Sequence, residues 1–237
     1  MRTLLLAAGL GTRLRPITDT IPKCLVPIGG KPLLQIWLER LTEAGFGPFL
    51  INTHYLSEQV EEFIEKSAFR NQVTLLYEPE LLGTAGTLIK NVDFFQGEGG
   101  MVIHADNYCL ADLAEFRAAH ENRPDCCEIT MMTFRTDDPK SCGIVEIDEQ
   151  GVVVEFHEKV ANPPSNLANA AIHIFSHQAL LLLNTKGPIF DISLDVIPLF
   201  LGKIFSVFTE SRLIDIGTIE SLNQANRLVA VNSKAMI

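Results

Sequence analysis

Positive charge is scarce in this chain of 237 residues. Its 19 Lys and Arg stand against 29 Asp and Glu, a formal net charge of 19 − 29 = −10. A nucleic-acid surface needs a basic footprint along the phosphate backbone, so nucleic acid is excluded as a partner. Any anionic ligand must then be met by a few local charges and backbone amides. No apolar run approaches the roughly 20 residues of a membrane helix, so no membrane partner is expected. Residues 1–9 reach glycine too soon for a signal peptide, and a cytoplasmic location is expected. The five cysteines are odd in number and none has Cys-x-x-Cys spacing, which argues against zinc and thioredoxin-like chemistry. Neighbours Cys126 and Cys127 are expected to be small buried hydrophobes in a reduced protein. Internal repeats, low-complexity tracts, a linker and a hexapeptide-repeat extension are also lacking. What is abundant is apolar residue, 47% of the chain, which excludes disorder. The length suits one large domain, residues 1–237.

Strand-length apolar runs recur at residues 3–7, 49–53, 73–77, 101–105 and 128–134, with helical patterns at 33–44, 57–66, 84–91 and 110–120. Near-continuous apolar strands alternating with amphipathic helices predict an α/β, Rossmann-like, mostly parallel sheet with helices on both faces. Ligands in such sheets sit beyond the carboxyl ends of the strands, where Gly9-Leu10-Gly11 and Asp106 fall. The later part predicts a hairpin from residues 143–147 and 152–157, then a strand at 170–175 and helices at 177–183 and 192–200. Strands at 204–209 and 212–215 and a last helix at 219–231 follow. This smaller, lid-like half is expected to be continuous with the α/β core. Apolar faces near the last helix leave a homodimer open.

The most informative segment runs from Leu6-Ala7-Ala8-Gly9-Leu10-Gly11-Thr12-Arg13-Leu14-Arg15-Pro16 to Pro22-Lys23. About 25 residues separate the first strand from the helix near Leu33, a loop length that usually signals function or disorder. Gly9 and Gly11 let the backbone present its N–H groups to a polyphosphate. Arg13, Arg15 and Lys23 add charge. A dinucleotide fingerprint would need a third glycine, and Pro16 blocks the helix that should follow, which disfavours a nicotinamide-dependent oxidoreductase. A Walker A loop would end in Gly-Lys-Ser/Thr, absent here. An ordinary Gly-rich turn is the remaining alternative, disfavoured by the added Thr12-Arg13 and Pro22-Lys23.

The same run resembles the signature of sugar-1-phosphate nucleotidyltransferases. The resemblance continues through Leu82-Gly83-Thr84-Ala85-Gly86, Asp106, Glu158-Lys159, Asn169 and Asp215-Ile216-Gly217-Thr218, in the family's order and over nearly the whole chain. It implies that a sugar-phosphate oxygen attacks the α-phosphorus of a nucleoside triphosphate and expels pyrophosphate. That nucleophile is already anionic, so no general base is required and the lack of a Ser-His-Asp or Cys-His set is consistent.

By the same resemblance, Arg13 contacts the transferring and leaving phosphates, Lys23 bridges the α-phosphate and the sugar phosphate, and Asp106 and Asp215 hold Mg²⁺. Leu6, Ala7, Ala8, Gly9, Gly11, Thr12, Glu78, Gly83 and Thr84 line the nucleotide. Gly143 flanks the sugar, Glu158 and Asn169 accept or share hydrogen bonds with its hydroxyls, and Lys159 clamps its phosphate. Asp195 orients Lys159 or Lys23, or else sits in a polar helical turn. Helix capping is the competing role for Asp106 and Asp215, with Asp112 and Thr218 as better-placed caps. Ala105 replaces the family's usual glycine and Val160 its proline, and His104 is expected to be a satisfied core residue. Residues 82–86 are closer to guanylyltransferases than to thymidylyltransferases, which makes GTP with mannose 1-phosphate the expected pair. Heptose-1-phosphate guanylyltransferases, and muramate- or glucose-1-phosphate uridylyl- or thymidylyltransferases, are the alternatives. A non-catalytic sugar-nucleotide-binding regulator would be expected to lose a catalytic charge, yet Arg13, Lys23, Asp106, Lys159 and Asp215 are all present.

Overall fold

The computed structural model describes residues 1–235, with side chains through residue 230. In chain order the elements are β1 (Thr3–Leu6), β2 (Pro27–Ile28), β3 (Lys31–Pro32), α1 (Leu33–Glu43), β4 (Phe49–Thr53), α2 (Ser57–Lys66), β5 (Val73–Tyr77) and α3 (Gly83–Lys90). There follow β6 (Gly100–His104), β7 (Asn107–Cys109), α4 (Leu113–Glu121), β8 (Ile129–Arg135), β9 (Gly143–Ile147), β10 (Val153–Glu158) and β11 (Leu167–Phe175). The chain continues with α5 (His177–Asn184), β12 (Ile204–Phe208), β13 (Leu213–Asp215) and α6 (Ile219–Ala235). Among the described residues no helix is long and apolar enough to cross a membrane.

The α/β, Rossmann-like class expected from the alternation is present, but the division of the chain does not follow its order. Two compact units alternate along the sequence: the first takes residues 1–4, 82–103 and 111–211, the second residues 5–81, 104–110 and, of the described residues, 212–235. Strands β1 and β6 contribute residues to both. A division into an early core and a late lid is therefore incorrect, because residues 212–235 belong with the first strand-and-loop segment and residues 82–103 with the hairpins.

In the second unit the strand order is β1-β4-β5, with β4 and β5 parallel. All five residues of β4 are buried, as a strand covered on both faces requires. Helix α1 follows from apolar residues at helical spacing: Leu33, Leu34, Trp37, Leu38 and Leu41 are its buried face. It stops at Gly45, whose φ of 76° reverses the chain while the Phe46 amide donates to the Leu41 carbonyl at 2.8 Å. Trp37, 2% exposed, donates its indole N–H to the Asn107 carbonyl at 2.7 Å and so fixes β7. Strand β7 pairs antiparallel with β13, Asn107 opposite Asp215. Three residues are too few for a periodicity to show, and β7 falls between the strand expected at 101–105 and the helical pattern that begins at 110.

In the first unit the order β10-β9-β11-β6 is joined by β8, which pairs with β11 and with β12. Strands β8 and β12 are parallel; the pairings of β11 with β6, β8 and β9 are antiparallel. The antiparallel share thus comes from the hairpin-rich later sequence. The helix expected at 192–200 is a π turn over Ile192–Val196 followed by a 3-10 turn over Ile197–Phe200. Pro198 explains the change, since it removes an amide from any continuous α-helical ladder. Cys127 is buried as expected, whereas Cys126 is exposed, a correction to the reading of the pair as two core residues.

Helix α4 is capped by Asp112, which accepts from the Glu115 amide at 2.9 Å, and Thr218 accepts from the Ser221 amide at 3.1 Å at the start of α6. Neither Asp106 nor Asp215 is needed as a cap. Near the end of α4, His120 is buried and hydrogen-bonded through Nδ1 to Thr130 Oγ1 at 2.7 Å. Burial, helped by the positive charge of Arg123, pushes its pKa from 6.5 to about 4. The folded state therefore binds fewer protons than the unfolded chain, so stability is lost as pH falls from about 6.5 toward 4, by up to roughly 3 kcal/mol. In His120→Gln, which retains a hydrogen-bonding side chain without this titration, urea denaturation should show a shallower loss across that window.

Candidate active site

The glycine loop leaves β1 at Ala7. It is ordered by short 3-10 turns over Thr12–Leu14, Ile17–Asp19 and Lys23–Leu25. Gly11 has φ 62°, and a Cβ there would lie 2.9 Å from Thr18 Cγ2. Thr18 Oγ1 donates to the Gly11 carbonyl at 2.7 Å, pinning the corner, and Leu14 is fully buried beneath it. A Cβ on Gly9 would meet nothing within 4 Å, so the backbone is open to a ligand at that point. Thr12 and Arg13 are exposed above the buried anchor. Arg15 pairs with Asp19 at 3.1 Å, which offsets the charge it would otherwise offer an anion.

Lys23 is 7% exposed, and its Nζ lies 2.6 Å from Asp106 Oδ2 and 2.9 Å from Asp215 Oδ1. The antiparallel register of β7 with β13 explains the meeting of residues so distant in sequence. Asn107 opposes Asp215, and the Ile216 amide donates to the Asp106 carbonyl at 3.2 Å. Arg13 Nη2 reaches Asp215 Oδ2 at 3.3 Å. Gly217 permits this approach, because a Cβ there would lie 2.7 Å from Arg13 Nη2. The four groups sum to 2 − 2 = 0 formal charges. Burial disfavours the Asp106 carboxylate, but the Lys23 ammonium and then His104 outweigh it and hold the carboxyl below its usual range. Burial likewise opposes the Lys23 ammonium, and Asp106 and Asp215 outweigh it and raise its pKa. Next door, burial pushes the Cys24 thiol up to about 12, so it is no nucleophile at neutral pH. Two carboxylates converging on one ammonium form an oxygen donor set that fits a hard divalent cation.

In the first unit, Gly83 opens α3 with φ 76°, and a Cβ there would lie 2.2 Å from the Phe190 carbonyl. That carbonyl accepts from the Ala85 amide at 3.0 Å, while Thr84 Oγ1 donates to Asp191 Oδ2 at 3.3 Å and accepts from the Ile192 amide at 2.8 Å. Asp195 Oδ2 accepts from the amides of Asp191 and Phe190, each at 2.9 Å, which holds its carboxyl below the usual range. Of the two readings of Asp195, the polar turn accounts for its observed contacts.

Gly143, Glu158 and Lys159 come together. Glu158 opposes Gly143 across β9 and β10, and a Cβ on Gly143 would lie 2.4 Å from Phe156 Cζ and 2.6 Å from Glu158 Oε2, so glycine leaves room for both side chains. Lys159 pairs with Glu158 at 3.1 Å and its φ is 49°, a left-handed turn made where Val160 replaces the family's proline. Asn169 lies on β11, one residue beyond the Ala168–Ile144 pair, and its Oδ1 accepts from the Ala171 amide at 2.9 Å within a β-bulge. His104 is only half-buried, a departure from the core position expected of it.

Sequence reasoning missed two groups. Asn52 and His54 touch Ala7 or Glu78, and the signal for them was Asn-Thr-His at the carboxyl end of an apolar strand. His157, one residue before Glu158, bonds Glu146 at 2.8 Å across the hairpin.

Two stability predictions follow from these contacts. Lys23→Met leaves the Asp106 and Asp215 carboxylates facing each other, and unfolding free energy should fall by roughly 1–3 kcal/mol, moderated by their partial solvation. Adding Asp106→Asn should restore part of that loss in urea denaturation. In the parent protein the Asp106 contribution is complete above about pH 4 and fades as pH falls through its lowered value. The Lys23 contribution fades only as pH rises through its raised value, so the cluster is pH-insensitive near neutrality. Gly83→Ala should cost more than about 1–2 kcal/mol, the left-handed penalty alone, because the Phe190 turn must also move; thermal denaturation measures it.

Residues 2–232 match the family model described as nucleotidyl transferase. The chain is 32% identical over 222 residues to a mannose-1-phosphate guanylyltransferase of Mycobacterium tuberculosis, covering 92% of this chain and 61% of that protein. It is 30% identical over 244 residues to a UTP–glucose-1-phosphate uridylyltransferase of Synechocystis, covering 96% and 63%. It thus spans about three fifths of the length of these curated relatives. The crystal structure of HddC from Yersinia pseudotuberculosis complexed with GMP-PN superposes with a TM-score of 0.80 at 27% identity, covering 96% of this chain and 99% of that one. An open glycine loop followed by an ammonium held between two carboxylates is thus found in a chain that belongs to the nucleotidyl transferase family.

Proposed function

We propose that this chain transfers a nucleoside monophosphate from a nucleoside triphosphate to a sugar 1-phosphate, with GTP and mannose 1-phosphate as the preferred pair. The observation that carries this reading is the Lys23 ammonium between Asp106 and Asp215, with Arg13 on the same carboxylate. In the reaction an oxygen of the sugar phosphate forms a bond to the α-phosphorus. The bond from that phosphorus to the bridging oxygen breaks, and its electron pair leaves on pyrophosphate. No proton has to move, so catalysis consists of alignment and charge stabilisation. The exposed Arg13 guanidinium suits the transferring and leaving phosphates, and the open loop at Gly9 suits their oxygens. Lys23 serves the α-phosphate and the attacking phosphate. Lys159 pairs the sugar phosphate, while Glu158 and Asn169 serve sugar hydroxyls.

The cluster of Arg13, Lys23, Asp106 and Asp215 is neutral overall, so an added cation is needed before two anionic substrates bind favourably. Mg²⁺ is the proposed cofactor, with Asp106 and Asp215 as its ligands; when bound it supplies positive charge to phosphate oxygens. Guanine is favoured by the named relative that is a guanylyltransferase and by the likeness to a structure solved with GMP-PN. A uridylyltransferase at nearly the same identity keeps UTP with glucose 1-phosphate as the second reading.

Pyrophosphate release should be measured for GTP, UTP, dTTP, ATP and CTP against mannose, glucose and heptose 1-phosphates, with and without Mg²⁺. The expected result is Mg²⁺-dependent release that is highest with GTP and mannose 1-phosphate. Highest release with UTP and glucose 1-phosphate would replace the proposed pair. No release with any pair, alongside tight binding of a nucleotide sugar, would replace the enzyme with a regulatory binding protein.

A further inference from the structure

At the carboxyl ends of β1, β4 and β5, one buried amide side chain ties three strand ends together. Asn52 is 4% exposed and Glu78 is 2% exposed. Asn52 Oδ1 accepts from the Ala7 amide at 2.7 Å, and Asn52 Nδ2 donates to Glu78 Oε1 at 3.1 Å. The orientation of the Asn52 amide is fixed by chemistry. Ala7 N–H can only donate and a carboxylate can only accept, so the oxygen must face Ala7 and the nitrogen Glu78. Glu78 is itself clamped through its backbone. Its amide donates to the Thr53 carbonyl at 2.8 Å, and its carbonyl lies 2.7 Å from His54 Nδ1.

Ala7 is the residue at which the chain leaves β1 for the glycine loop. On its other side, the Leu6 carbonyl accepts from the Ala105 amide at 3.0 Å, directly before Asp106. The departure point is therefore held from both flanks, by the peptide next to Asp106 and by Asn52. From Ala7 to Gly9, where the backbone opens, is only two residues, too short a span for an error in the Ala7 position to be absorbed.

We propose that Asn52 is a positioning residue for nucleotide binding. It transmits the fixed location of Glu78 to the Ala7 amide and so sets the trajectory of the loop amides that receive the triphosphate. This rests on the reading of that loop as the triphosphate site. An amide is required because it alone offers an acceptor and a donor on one short planar group. Aspartate in its place would keep the Ala7 bond but set a second carboxylate against Glu78 in a buried site.

The test is calorimetric binding of GTP, UTP and dTTP, each with Mg²⁺ and without a sugar phosphate, alongside melting temperature. Asn52→Ala and Asn52→Asp should weaken the tightest triphosphate by roughly tenfold or more. In the double variant N52D/E78Q, the Gln amide donates to the Asp carboxylate, which still accepts from Ala7, and binding should be about threefold or more tighter than in Asn52→Ala. A purely structural role predicts lowered melting temperature with unchanged affinity of the folded protein. Parent-like affinity in Asn52→Ala overturns the proposal, and so does a double variant no tighter than Asn52→Ala. This second comparison still decides if Asn52→Asp fails to fold. A parent protein that binds none of the three triphosphates would instead overturn the nucleotide reading itself.

Discussion

The arrangement depends on a buried ammonium that has to be neutralised. Lys23 is almost fully enclosed, and an enclosed charge without a partner costs several kcal/mol. Two carboxylates supply that partnership, and they come from segments 83 and 192 residues away along the chain. Much of the second unit can be understood as the means of delivering them. Strand β1 leads into the loop that carries Lys23, Trp37 fixes the Asn107 carbonyl beside Asp106, and the pairing of β7 with β13 brings Asp215 opposite. Gly217 then leaves room for Arg13. Each of these devices places a charge.

In the first unit, glycine at Gly83 and Gly143 is a matter of close approach. At Gly83 a backbone carbonyl occupies the space of a side chain, and at Gly143 the Phe156 ring and the Glu158 carboxylate do. Both positions are tightly filled. The same contrast holds at Asp195, whose carboxylate is engaged by two backbone amides of its own turn.

Legibility in the sequence followed the length of the physical signal. Strands β4 and β5 and helix α2 were readable to the residue, because five or more positions repeat one pattern and neighbours confirm it. The capping roles of Asp112 and Thr218 were readable because a cap is a local interaction. Strand β7 was not, since three residues carry no period and its partner lies more than a hundred residues on. The interleaving of the two units was hidden for the same reason: it is decided by long-range pairing. The residue types at the candidate site were legible through a family likeness. Their joint contact was not, and the role of Asn52 was overlooked because it is set by partners 45 and 26 residues away in the chain.

The pairing of β7 with β13 also has a consequence during synthesis. A ribosome delivers Lys23 and Asp106 long before Asp215, so the ammonium's second carboxylate does not exist in the early growing chain. The second carboxylate and the Arg13 contact are added only after the β13 segment has emerged and found β7. The four-membered cluster is thus a late, long-range closure: it is complete only once residues 213–215 have paired with β7.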